Sequence, residues 1–259
     1  MIHSELDTAL RQADRVYGML QQSCTSSAGF ERGVWANYIN GERGYLGYLP
    51  TFQNQTFLEI LEAKARQSLN KDDITFVDLG YGRGRVLIDL SEYPPTRNKV
   101  RLIGVGPTAY SKLEVKTSDG RTIPPTYEKL VQNKITLIDR NMVRIKEFMP
   151  ESSADVVVAA FSLYTVKYPS WEIIKNVYSV LKPGGIFMST DACPLVPGQK
   201  PEYLSEYLAK SGYLFEVHNT EEPYRGMIWR FSIQKTLPML PDTIISCESN
   251  GRNLVSINK

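Results

Sequence analysis

The chain has 259 residues, 42% of them hydrophobic and 22% charged, enough for one sizeable α/β core with appended segments. A net charge of +2, with basic and acidic residues spread along the chain, gives no electrostatic footprint for nucleic acid. Three cysteines and two histidines, all far apart, make neither a disulfide framework nor a metal cluster. No apolar run approaches membrane length, and no export signal is read at the N-terminus, so a cytoplasmic protein without a membrane partner is expected.

In chain order, Leu6, Ala9, Leu10, Ala13, Val16, Tyr17 and Leu20 recur at helical spacing behind a capping pattern at Ser4 and Asp7, which predicts an amphipathic helix. A linker over 23–29 follows, then an aromatic segment with Phe30, Trp35, Tyr38, Tyr45, Tyr48, Phe52 and Phe57. A second helix is predicted from about Gln53 to Ser68. From Ile74 the pattern changes to short apolar runs alternating with helices: ITFV, RLIGV, KITLI, DVVVAAF, GIFMS, YLFEV and MIWRFSI. Fully apolar strands suit a sheet covered on both faces. The expected fold is a doubly wound, mostly parallel seven-stranded sheet with helices on both faces, an N-terminal helical and aromatic cap and a C-terminal β-hairpin. Residues 1–70 form the cap, 71–236 the core and 237–259 the appendage in this reading.

Two hairpins interrupt the rhythm. One is inserted at KLEVKTSDGRTI, around Asp119-Gly120, where a helix is otherwise expected. The other spans Thr243 to Asn258 and turns at Asn250-Gly251, pairing Ile245 with Ser256 and Cys247 with Leu254 if the loop has two residues. An isolated hairpin is marginal in water, so docking on the core or self-association as a homodimer is expected.

The chemistry is concentrated in ITFVDLGYGRGRVLIDL: a buried strand ending at Asp78, a turn with Gly80, Gly82 and Gly84, and a helix from about Arg85. Glycines at such a turn let a ligand approach the backbone. Arg85 stands where a dinucleotide-binding turn has its third glycine, and an acidic strand end repels pyrophosphate while attracting a cationic ligand. Downstream, NVYSVLKPGGIFMST predicts a helix ending at Lys182, a turn at Pro183-Gly184-Gly185 and an apolar strand.

Together these motifs resemble the Rossmann-like (class I) S-adenosylmethionine-dependent methyltransferases of the small-molecule type, over Ile74 to Thr190. The resemblance implies S-adenosyl-L-methionine as cofactor and a methyl transferase activity. It places the methionine end of the cofactor against Asp78, Gly80, Tyr81, Gly82 and Gly84. Asp139, followed by Arg140, matches the acidic position that meets the adenine amino group, although an N-cap aspartate reads equally well there. Phe161 and Ser162 match the strand tip beside the sulfonium, or a core position. The second strand ends at Gly106, where the family has an acidic residue on the ribose hydroxyls; Glu114 or backbone groups near Gly106 are the substitutes in reach of the sequence.

Trp35, Tyr38, Tyr45 and Tyr48 are candidates for an acceptor-binding flap, or for plain core. Methyl transfer needs alignment more than a base, and His218 and Tyr164 are the candidates if a base is used. A-A-F-S-L-Y stands where methyltransferases of nucleobase amines and glutamine amides carry N-P-P-Y or D-P-P-Y, so neither acceptor is expected. A small organic acceptor is the expected substrate, with a protein acceptor or a non-catalytic scaffold as alternatives.

Overall fold

The computed structural model describes residues 2–23, 45–68, 73–116, 122–160, 162–163, 170–191, 212–222, 226–240, 244–247 and 253–256. Helix α1 spans Ile2–Ser23, a short α2 spans Tyr45–Tyr48 and α3 spans Phe57–Gln67. The sheet strands are β1 (Ile74–Leu79), β2 (Val100–Val105), β5 (Thr136–Ile138), β6 (Ala154–Ala160), β7 (Leu181–Asp191), β8 (Leu214–Glu222) and β9 (Gly226–Gln234). Helices α4 (Arg85–Glu92), α5 (Ala109–Lys112), α6 (Tyr127–Gln132), α7 (Ile145–Phe148) and α8 (Ser170–Val180) connect them, with a 3₁₀ turn at Met142–Arg144. Among the described residues, no helix is long and apolar enough to cross a membrane.

Strand order is β5-β2-β1-β6-β7-β9-β8, parallel from β5 to β7, with β9 antiparallel to both its neighbours. The expected mostly parallel seven-stranded sheet is therefore present. Successive residues of β1 serve opposite faces: Val77 and Leu79 join one core with Ala13 of α1, Val143 and Val177, while Phe76 joins another with Phe57, Leu61 and Leu87. Every residue of β1 is buried, as a strand covered on both faces requires. The chain runs from β1 outward to β2 and β5, then returns to place β6 on the other side of β1. The carboxyl ends of β1 and β6 thus border the switch in direction, where open α/β sheets hold their ligands.

Local departures from the sequence reading have physical causes. The second helix begins at Phe57, because Gln53 and Asn54 take positive φ (49° and 61°) in a turn closed by Phe52 and Gln55. Thr56 is the N-cap: Glu59 N–H donates to Thr56 Oγ1 at 3.3 Å, and Thr56 N–H donates to Glu59 Oε2 at 2.8 Å. Helix α8 ends at Val180 rather than at Lys182. The Pro183-Gly184-Gly185 turn is an excursion within β7: Ala154 pairs with Leu181, and the next pair is Val156 with Ile186.

The inserted hairpin appears as β3 (Val115–Lys116) against β4 (Thr122–Ile123), with the Asp119-Gly120 turn outside the described residues. The C-terminal hairpin appears as β10 (Ile244–Cys247) against β11 (Asn253–Ser256), a separate two-stranded sheet. Its register differs by one residue from that of a two-residue loop: Ile244 pairs with Ser256, Ile245 with Val255 and Cys247 with Asn253. The connection therefore has an odd number of residues. Neither face of this hairpin sequence is cleanly apolar, so burial does not fix the register.

At the amino end of the sheet Asp155 ties three strands together. Its Oδ2 accepts from Thr75 N–H of β1 at 2.9 Å and from Lys182 Nζ at 2.6 Å, and Lys64 Nζ lies 3.7 Å from Oδ1. Lys182 also donates to the Asp73 carbonyl at 2.7 Å. Replacing this mostly buried carboxylate strands a strand N–H and an ammonium, so Asp155→Ala is expected to cost about 2–3 kcal/mol of stability. Thermal and denaturant unfolding measure the loss, and ligand affinity at the opposite end of the sheet should not change.

Candidate functional site

The carboxyl end of β1 is built by exclusion. Gly80 has φ +75°, and a Cβ on it would lie 2.3 Å from Ser162 Cβ at the tip of β6, so only glycine lets the two strand ends meet. Ser162 Oγ fastens the contact by donating to the Leu79 carbonyl at 2.7 Å, and on the other side Gly80 N–H donates to the Val105 carbonyl of β2 at 2.7 Å. Ser162 is thus a clasp between β6 and β1. Gly82 takes φ +51°, and Gly84 opens α4 where a side chain would meet Leu130 of α6 at 2.7 Å. Gly84 therefore serves helix packing. A Cβ at Gly104 would sit 2.8 Å from the Tyr81 ring, which is how β2 admits that residue to the core.

Asp78 is fully buried, and burial pushes its carboxyl up to about 7 against the opposing hydrogen bond from Tyr45. Tyr45 Oη donates to both oxygens at 3.1 Å, and no cation meets them among the described residues. Tyr45 is itself buried, its ring edge-on to Phe57 at 6.4 Å. This candidate for the acceptor flap thus stands at the carboxyl end of β1, as the partner of Asp78. Tyr81 is also buried; burial drives its phenol well above the ordinary value, with the Asp139, Tyr127 and Asp78 charges adding to the shift and Ser111 opposing it.

Asp139 follows β5 and is exposed, as is Arg140. It is not a helix cap; Asn141 caps the 3₁₀ turn through Val143 N–H at 3.3 Å. Asp139 Oδ1 accepts from Tyr17 Oη at 2.6 Å and Gln21 Nε2 at 2.9 Å, and Oδ2 from Thr108 Oγ1 at 2.6 Å. Burial works to raise its pKa, but the Thr108, Tyr17 and Gln21 bonds outweigh it and hold the carboxyl below the usual range. One turn earlier on α1, Asp14 is gripped by Arg144 Nη2 at 2.7 Å and Asn141 Nδ2 at 3.2 Å.

Asp14, Tyr17 and Gln21 were not among the candidates drawn from sequence. Their spacing of three and four residues along the edge of the apolar stripe is the signal that could have found them. Thr108 carries no such signal. Gly106 closes β2, its N–H donating to the Ile138 carbonyl at 3.0 Å. Glu114 is exposed ahead of β3.

Arg83 joins the insertion to the glycine turn. Its buried guanidinium donates to the carbonyls of Leu113 at 2.8 Å, Tyr110 and Ile123 at 3.4 Å each, and Pro124, while Thr126 Oγ1 donates to the Arg83 carbonyl at 2.6 Å.

Phe161 and Tyr164 lie outside the described residues, as do Trp35 and Tyr38, and Tyr48 is described only in its backbone, on α2. His218 pairs with Arg230, which pairs with Thr190, which pairs with Ala160 at the end of β6. It shares the level of the site but lies three strands from β6, about 14 Å at the usual strand spacing.

No curated protein matches the chain. Similar solved structures include phosphoethanolamine N-methyltransferase 2 of Haemonchus contortus in complex with S-adenosyl-L-methionine, at TM-score 0.50 and 13% identity over 86% of this chain and 60% of that one. Geranyl diphosphate C-methyltransferase from Streptomyces coelicolor has TM-score 0.43 and 14% identity over 67% and 75%. Precorrin-6y C5,15-methyltransferase from Geobacter metallireducens has TM-score 0.38 and 17% identity over 71% and 92%. At these identities the likeness is one of fold. A family described as "Methyltransferase domain" matches residues 52–233, well over half of the chain. The chain belongs to that family, as an S-adenosylmethionine-dependent methyltransferase of the Rossmann-like class.

Proposed function

We propose that the chain transfers a methyl group to a small organic acceptor, with the cofactor lying across the carboxyl ends of β1, β2 and β5. The observation that carries the cofactor placement is a pair of carboxylates flanking the Gly80 turn. Asp78 is buried and Asp139 exposed, and neither meets a cation among the described residues. A ligand with an ammonium at one end and a nucleoside at the other complements such a pair. Gly82, at φ +51°, adds bare main chain to the same turn, while Gly80 is where the turn packs against Ser162.

In this reading Asp78 receives the amino-acid end of the donor, Gly80 and Gly82 let it approach the main chain, and Asp139 holds the nucleoside end. When bound, S-adenosylmethionine would supply an electrophilic methyl that an acceptor lone pair attacks in line with the carbon–sulfur bond, the bonding pair leaving on the sulfur of S-adenosylhomocysteine. The chain's part is alignment: Ser162 locks the β6 tip to β1, and Arg83 holds the insertion against the turn. Support for a small acceptor is the aromatic-rich sequence just ahead of the core, together with A-A-F-S-L-Y at the end of β6 in place of the N-P-P-Y or D-P-P-Y of nucleobase and glutamine methyltransferases.

Incubation with methyl-labelled S-adenosylmethionine and a cell extract tests the acceptor class. Label in the low-molecular-weight fraction is expected; label confined to protein would overturn the small-molecule assignment. Gly82→Ala should bind S-adenosylhomocysteine at least about tenfold more weakly by calorimetry while remaining folded, since alanine tolerates the left-handed region at a cost of about 1–2 kcal/mol. Undiminished affinity would remove the turn from the site.

The state of Asp78 gives a pH dependence. Because its folded value of about 7 lies above the ordinary carboxyl value, the ligand-free fold is favoured by the protonated form, and this stability is lost as pH rises from about 4 through about 7. Asp78→Asn should flatten that slope in thermal melts. A cationic ligand group requires the ionised form, so affinity should rise by up to about tenfold per pH unit as pH approaches 7 from below, and level off above it. Equal slopes for both proteins, with pH-independent binding, would count against Asp78 as the cation site.

A further inference from the structure

The end of β2 excludes a side chain by its own backbone. Gly106 has φ +147°, a conformation L-residues rarely adopt, and a Cβ there would stand 3.4 Å from Gly80 Cα and 3.8 Å from Tyr81 Cδ1. An acidic residue cannot take this place without rebuilding the turn. The neighbouring strand brings a carboxylate to it instead. β5 runs parallel to β2 with Ile138 opposite Val105, and Gly106 N–H donates to Ile138, so Asp139 is next in register beside Gly106.

The bonds on Asp139 show what this carboxylate accepts. Each oxygen takes a hydroxyl at 2.6 Å, Tyr17 on Oδ1 and Thr108 on Oδ2, the short length of charge-assisted O–H···O bonds. One hydroxyl on each oxygen is also what two adjacent hydroxyls of a furanose ring present. Oδ1 receives Gln21 as well as Tyr17, which together take both of its acceptor positions. A ligand hydroxyl reaching Oδ1 must displace one of them, and both belong to α1.

We propose that Asp139 is the diol-binding carboxylate of this site, receiving the 2′ and 3′ hydroxyls of the nucleoside rather than the adenine 6-amino group, with α1 yielding its hold on Oδ1 as the ligand enters. The assignment rests on the cofactor placement under Proposed function and gives the missing acid of β2 a source in β5. Thr108, two residues beyond Gly106, is its positioning residue through Oδ2.

Calorimetry with three ligands tests it: S-adenosylhomocysteine, its 2′,3′-dideoxy form, and the form with hydrogen in place of the 6-amino group. The unaltered chain should bind the dideoxy form about 10- to 100-fold more weakly than the parent, the range expected for hydrogen bonds to a charged acceptor. In Asp139→Asn that ratio should shrink to about threefold or less, while the ratio for the 6-amino deletion stays as it was. Each ratio is taken within one protein, so a general loosening of the fold cancels. If Asp139→Asn binds too weakly to compare, Asp139→Glu, which keeps both oxygens but displaces them, should show a reduced diol preference. Selective loss of the 6-amino preference, or no change in either preference, would overturn the inference. A flat titration of the unaltered chain with all three ligands would overturn the cofactor placement itself, and the diol assignment with it.

Discussion

Taking a carboxylate out of water at the end of a central strand is costly, and at Asp78 a tyrosine hydroxyl offsets only part of that cost. Much of the site is arranged around this group. It needs a wall of close contacts to keep water out, which the Gly80 to Ser162 contact and the Phe57 and Tyr45 rings provide. It needs a hydroxyl from outside the strand, which brings α2 onto the sheet. The same burial makes the group receptive to a positive charge, because a cation would restore what solvent no longer supplies. Asp139 shows the opposite solution. Exposed and held by two hydroxyls and an amide, it keeps its charge with no cation among the described residues.

The two halves of the polar rim around Asp139 come from distant parts of the chain. Tyr17 and Gln21 reach Asp139 across more than a hundred residues, and Asp14 reaches Arg144 in the same way. Helix α1 is therefore more than a cover for the sheet: Ala13 sits in the core beside Val77 and Val143, while its polar edge lies on the loop after β5. Packing sets where the helix lies, and the polar contacts set its rotation. That division follows from the chemistry, since apolar contact is non-directional and hydrogen bonds are not.

The sheet and its glycine turn were legible because their signals are local. ITFVDLGYG carries its strand, its acid and its turn within nine residues, and seven apolar runs correspond to the seven strands. What sequence did not reveal were relations between segments. That Tyr45 would bond to Asp78, or that Asp139 would stand beside Gly106 with hydroxyls on both oxygens, depends on strand order and register, which no local pattern encodes. The start of α3 was misplaced because Gln53 and Asn54 adopt positive φ without glycine. The C-terminal register was misjudged because its alternation is too weak to choose between loop lengths.

Arg83 makes the segment between β2 and β5 inseparable from the turn that precedes it. Its guanidinium is buried against carbonyls from both sides of the β3–β4 pair, and its own carbonyl is held by Thr126 beyond that pair. An inserted hairpin is usually regarded as a removable ornament, the kind of loop that homologues lengthen, shorten or lose without harm. Here its removal would leave a cation inside the protein without its acceptors, next to the glycines that shape the cradle. The segment is therefore not modular. Loop exchange between relatives, or trimming to reach a minimal core, would have to replace the arginine at the same time, so residue 83 and the hairpin are expected to change together over evolution or not at all.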